Sequence, residues 1–196
     1  MIPRHLILEN HLAPGDILML TAAVRDLHLG HPGRFVTDVR TPCPDFWRHN
    51  PYLTPRHEGQ PGVESVLCHY PLIHRCNVEP VHFLHGFSDF LSEKLGVRIV
   101  PREFKGDIHL SAEEKAEEPL VHRLTGDTSP YWLIVAGGKF DFTIKWWDPA
   151  RYQAVVDHFQ GRLRFVQDGL RSHHHPARRG VWVLRGKTNL RELVKL

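Results

Sequence analysis

The feature that most constrains this chain is a change of hydrophobic period between residues 5 and 39. Residues 5–9 carry the short apolar run Leu6, Ile7 and Leu8. After a tight loop at residues 11–15, Ile17, Leu20, Ala23, Val24 and Leu27 recur at three and four residues, the spacing of one helix face. Gly30 and Pro32 stop that helix, and residues 34–39 return to strand character. Strand, tight loop, helix and strand make a right-handed βαβ unit, and that unit commits the chain to an α/β fold built on a mainly parallel sheet.

The alternation continues. Residues 41–62 hold five prolines, which predicts a long loop with one short helix at 45–49. A strand is expected at 63–68. A helix over 82–95 is drawn by Phe83, Leu84, Phe87, Phe90, Leu91 and Leu95 and closed by Gly96, and a strand is expected at 97–100. Ser111 followed by Glu114 has the capping-box spacing and predicts a short helix. Composition shifts over residues 119–130, of which 125–130 are turn-forming throughout, so the chain is expected to divide there into a domain of residues 1–128 and a second of 129–196. The second repeats the pattern: a buried strand at 131–136, a helix at 149–159 with proline in its first turn, strands at 162–167 and 182–184, and the beginning of a helix at 190–194. It is shorter than domains usually are, so an incomplete second domain is expected, with apolar surface left uncovered.

Composition removes several function classes. A surplus of +3, from 25 basic and 22 acidic residues, is too small to drive nucleic-acid binding by counterion release. No apolar run reaches the ~20 residues a membrane span needs, and Glu9 interrupts any secretory signal, so the default compartment is the cytoplasm. Three cysteines suit reduced thiols rather than a disulfide framework. Cys68, His69, His74 and Cys76 do not have zinc-finger spacing, and no metal site is expected; His173, His174 and His175 offer adventitious metal affinity. The segment Gly186, Lys187, Thr188 is not a P-loop, because the glycine required five positions earlier is Val181.

Two segments carry the candidate chemistry. The first is Pro14, Gly15 and Asp16, where the opening strand turns into its helix. Ligands of open α/β sheets collect beyond the carboxyl ends of strands. Gly15 permits close approach there, and Asp16 can act as a general base on a hydroxyl or simply cap the helix. The second runs from Gly137 to Pro149. A glycine pair, Lys139, Lys145 and a helix N-terminus make a diphosphate cradle, in which Lys145 would stabilise a departing diphosphate; the alternative is a solvated lysine beside two packing tryptophans.

In this order and spacing these pieces resemble glycosyltransferase family 9, the ADP-heptose:lipopolysaccharide heptosyltransferase-like enzymes. The resembling segments are Gly15, Asp16, Ile17 and Leu18; Gly30, His31 and Pro32; Asn50, Pro51 and Tyr52; Lys145, Trp146 and Trp147; and Leu184 through Leu193. The resemblance implies a GT-B-like fold of two Rossmann-like domains, the first binding the acceptor and the second the nucleotide sugar. It implies inverting, metal-independent transfer of heptose from an ADP-sugar donor to a glycan or protein acceptor, with Asp16 as catalytic base. Gly15, Lys139, Lys145 and Thr188 would contact substrate. No cofactor, nucleic acid or membrane span is implied, and peripheral membrane association is compatible with it. The members continue past the position of Leu196, so the chain is expected to be truncated in its second domain and weakly active. A non-catalytic module binding sugar nucleotides or glycans is the alternative.

Overall fold

The computed structural model describes residues 2–70, 75, 78–141, 143 and 146–196. The chain forms two compact units, Met1–Glu114 and Lys115–Leu196.

In the first unit β1 (Arg4–Glu9) lies between β2 (Phe35–Arg40) and β3 (Val63–Leu67) and pairs with both in parallel, Leu8 standing opposite Val39 and Val66. Pairing on both edges is why Leu6, Ile7 and Leu8 are fully buried. The connection from β1 to β2 is α1 (Pro14–Gly30), and α1 packs against α2 (Leu84–Leu95). Gly96 closes α2 in the left-handed region, at φ 65°. Around Pro44–Trp47 the short helix expected at 45–49 is a single 3-10 turn that buries Phe46 and Trp47.

The apolar stripe on α1 is present, yet the helix is covered on more than that face. Arg25 and Asp26, which lie off the apolar stripe, are 4% and 2% exposed. Their side chains pair at 3.0 Å, and Arg25 also donates to the carbonyls of Glu103 and Lys105. The Asp107 amide donates to Thr21 Oγ1 at 2.8 Å, and Gly106 packs so closely on Leu18 that a Cβ there would sit 2.2 Å from Leu18 Cδ1. Backbone carbonyls thus complete the donor set of a buried guanidinium, which a carboxylate alone leaves unsatisfied.

Residues 97–100 are not a strand. They lack a partner to form a ladder, and their amides are met instead by the end of α2: Val97 donates to the Ser92 carbonyl and Ile99 to Ser92 Oγ. The capping box at Ser111 forms as expected, with Glu114 N to Ser111 Oγ at 3.1 Å and Ser111 N to Glu114 Oε2 at 2.9 Å, and opens α3 (Ala112–Ala116).

The second unit holds α4 (Leu120–Thr125), β4 (Tyr131–Ile134), α5 (Pro149–His158), β5 (Arg164–Gln167), β6 (Val181–Val183) and α6 (Leu190–Val194). Its strands are parallel in the order β4, β5, β6. The α4 segment, expected in the first domain, belongs here because Val121 is buried with Val166 and Leu184 in one core. The buried strand expected at 131–136 is an edge strand in this sheet, and Trp132 is 62% exposed. Asp148 caps α5 through the Ala150 amide at 2.7 Å, and Asn189 and Glu192 form a capping box on α6.

His28, near the end of α1, bonds Thr37 Oγ1 at 2.9 Å and stacks on Tyr52. Burial lowers its pKa below the usual histidine value. The unfolded chain therefore takes up this proton at a higher pH than the folded one, and stability falls as pH drops through about 6.5. The urea midpoint should fall less between pH 7.5 and 5.5 in His28→Gln than in the parent. Equal slopes would show that His28 protonates as readily folded as unfolded.

Candidate active site

The site in the first unit is built at the carboxyl end of β1. Asn10, the residue after the strand, is 2% exposed, and its three hydrogen bonds span the sheet. Its amide donates to the Arg40 carbonyl at 3.0 Å, its Nδ2 to the Cys68 carbonyl at 2.9 Å, and its Oδ1 accepts from the Leu12 amide at 2.9 Å. The loop is thereby tied to the ends of both neighbouring strands before it enters α1. Ala13 is the N-cap residue and Pro14 follows as the first helical residue, a position that needs no amide donor.

Asp16 is then in the first turn, not at the cap. Its amide bonds the Ala13 carbonyl at 2.9 Å, and Ala13 supplies no side-chain cap. The capping alternative for Asp16 therefore reduces to a favourable charge near the helix N-terminus, about 0.3–1 kcal/mol at an exposed site. Its side chain is half-buried and makes no hydrogen bond or ion pair among the described residues. Beside it, Gly15 is exposed, and a Cβ on it would meet nothing within 4 Å. Neither packing nor a positive φ requires glycine at 15, although glycine inside a helix costs about 1 kcal/mol relative to alanine. An open approach to the Asp16 turn is what this position provides.

In the second unit the carboxyl ends of β4 and β5 are pinned together. Gly138 and His174 exchange both backbone hydrogen bonds, each 3.0 Å, and the Trp146 indole stacks on the His174 ring at 4.1 Å. Gly137 adopts φ 148°, and a Cβ there would lie 1.7 Å from the His174 carbonyl oxygen. Gly169, also at φ 148°, is overlaid by the His175 ring. Gly137 and Gly169 are required by the fold itself, so of the pair Gly137 and Gly138 the first is a packing device.

The expected substrate-contacting residues divide. Lys139 is exposed; Lys145 lies outside the described residues. Thr188 is half-buried, and its hydroxyl donates to Asp168 Oδ2 at 2.7 Å, which leaves Thr188 Oγ1 only its lone pairs to offer a ligand. Gln167 and Asp168, at the end of β5, and His175 are buried polar groups; of these only His175 stood out in the sequence, as part of a histidine run, while Gln167 fell at the end of the strand expected at 162–167. Burial lowers the His175 pKa, keeping the ring neutral near pH 7.

Among the described residues no group of three or more His, Cys, Asp or Glu side chains is placed to hold a metal ion. His74 and Cys76 lie outside the described residues. Cys43 and Cys68 are free and buried, and burial pushes the Cys68 thiol up to about 12, which makes it a packing residue rather than a nucleophile. The turn at Gly186, with φ 69° and Arg171 packed behind it, joins β6 to α6. No helix among the described residues is long and apolar enough to cross a membrane.

No family model matches the sequence, and no curated protein matches it. Among solved structures, a glycosyl transferase family 9 protein from Veillonella parvula DSM 2008 is similar over 98% of this chain and 72% of its own, at 14% identity and a TM-score of 0.68. The chain therefore shares the fold of that glycosyl transferase, and its parallel α/β sheets are consistent with a GT-B-like architecture.

Gly137→Ala should destabilise the second unit by at least about 2 kcal/mol, since the new Cβ meets a backbone oxygen and the φ is disallowed to L side chains. Four of the five tryptophans lie in that unit, so tryptophan emission during urea unfolding reads the change directly. A variant within 0.5 kcal/mol of the parent would contradict the pinned geometry.

Proposed function

We propose that this chain carries the machinery of an inverting glycosyltransferase, with Asp16 as its base. The observation that carries the reading is the Asp16 carboxylate itself. It stands at the carboxyl end of the central strand, half-exposed beside an open glycine, without a partner among the described residues, in a chain that shares its fold with a glycosyl transferase.

In this reading an acceptor hydroxyl lies against Asp16. As its oxygen bonds to the anomeric carbon of the donor, the proton passes to the Asp16 carboxylate. The bond from that carbon to the phosphate oxygen breaks, the electron pair leaves with the diphosphate, and the anomeric centre inverts. Lys145 and the N-terminus of α5 supply positive charge for the leaving diphosphate, so the scheme calls on no metal. Gly15 leaves room for the acceptor, Lys139 adds positive charge toward the donor, and Thr188 serves as an acceptor of donor hydroxyls. The donor is an ADP-activated heptose and the acceptor a glycan or protein, as the sequence resemblance implies.

Incubation with ADP-heptose should release ADP. Asp16→Asn should lower the rate by 10²–10⁴, the usual contribution of a positioned base, while changing stability by no more than about 1 kcal/mol. Lys145→Ala should raise the KM for donor. Normal turnover in Asp16→Asn would overturn the assignment; donor binding without any turnover in the parent would favour a non-catalytic binding module.

A further inference from the structure

Within the second unit a cavity of about 230 Å³ opens between the turn into α5 and residues 174–178. Trp146, Trp147, Pro149 and Pro176 give it flat apolar walls, and Asp148 and Arg178 line it as well. Arg178 is the unusual member. It is 8% exposed, and no carboxylate pairs with it among the described residues. Its Nη1 donates to the Pro176 and Ala177 carbonyls, which fixes the guanidinium, and the group lies 5.7 Å from the Tyr152 ring. Its Nε is buried without a hydrogen-bond partner, and so is Trp146 Nε1.

A fixed, buried cation without a counter-ion is costly, and a planar guanidinium is the group best shaped to receive a carboxylate. A neutral base or neutral sugar would bring Arg178 no partner, and the Asp148 carboxylate that also lines the cavity is engaged with the Ala150 amide as the cap of α5. The walls suit a small ring, with apolar plates for its faces and Asp148 as acceptor for a hydroxyl.

We propose that this cavity binds the carboxylate-bearing ring of an acidic monosaccharide, with Arg178 holding the carboxylate. The proposal rests on the carbohydrate reading above and adds to it a uronate-type sugar as a ligand of this protein.

The test is titration of the whole chain, by calorimetry and tryptophan emission, with glucuronate, galacturonate, glucose, benzoate and inorganic phosphate. A uronate should bind at least tenfold tighter than glucose. Arg178→Ala should erase that preference, and Arg178→Lys, which keeps the charge with less disturbance of the loop, should retain part of it. Trp147→Ala, at an exposed side chain, should weaken uronate binding several-fold with unchanged unfolding. Equal binding of glucose and glucuronate, a uronate preference unaltered in both Arg178 variants, or phosphate or benzoate binding as tightly as the uronates would overturn the proposal. Absence of uronate binding alongside persistent sugar transfer would overturn this inference alone, and uronate binding without any transfer would overturn the transfer reading alone.

Discussion

The catalytic role proposed for Asp16 depends on the parallel pairing of β1 on both of its edges. β1 ends level with both neighbours, Glu9 standing opposite Arg40 and Leu67, and Asn10 converts that end into a fixed point by bonding the Arg40 carbonyl at the end of β2 and the Cys68 carbonyl just past β3. The path into α1 is then determined, and with it the place of the Asp16 carboxylate. A base of this kind is useful only when its position is set before substrate arrives. Here a sheet and a buried asparagine, rather than a mobile loop, set it.

The second unit solves a similar problem with different means. Its carboxyl-end loops are joined by a two-bond bridge between Gly138 and His174 and by the stacked Trp146 and His174 rings, with glycines where a side chain would strike the backbone. This bracing encloses the small cavity and holds Arg178 within it. The cost of burying that guanidinium without a carboxylate points to a ligand, because two carbonyls satisfy hydrogen-bond geometry but supply no net charge.

Much of the architecture was legible because it rests on local pattern. The stripe from Ile17 to Leu27 and the run from Phe83 to Leu95 announce their helices, the proline and glycine punctuation marks most ends, and the Ser111 and Glu114 pair forms the cap its spacing predicts. What was not legible depends on contacts distant in sequence. Residues 97–100 have strand-like composition but no partner, so hydrogen bonds to Ser92 decide their form. Arg25 and Asp26 lie off the apolar stripe, and the carbonyls of residues 103 and 105 that meet Arg25 arrive from far along the chain. At the site, Asp16 could be singled out from its place in a strand-to-helix junction. Asn10 and Arg178 could not, because their importance lies in which atoms they meet.

The most direct measurement of the central claim is the anomeric configuration of the sugar released from an ADP-heptose donor when water takes the place of the acceptor hydroxyl, followed by NMR before mutarotation. A single carboxylate acting as base on the incoming oxygen demands displacement from the face opposite the leaving diphosphate. With Asp16 as that base, the first-formed sugar has inverted configuration. A first-formed sugar that keeps the donor's configuration would contradict it.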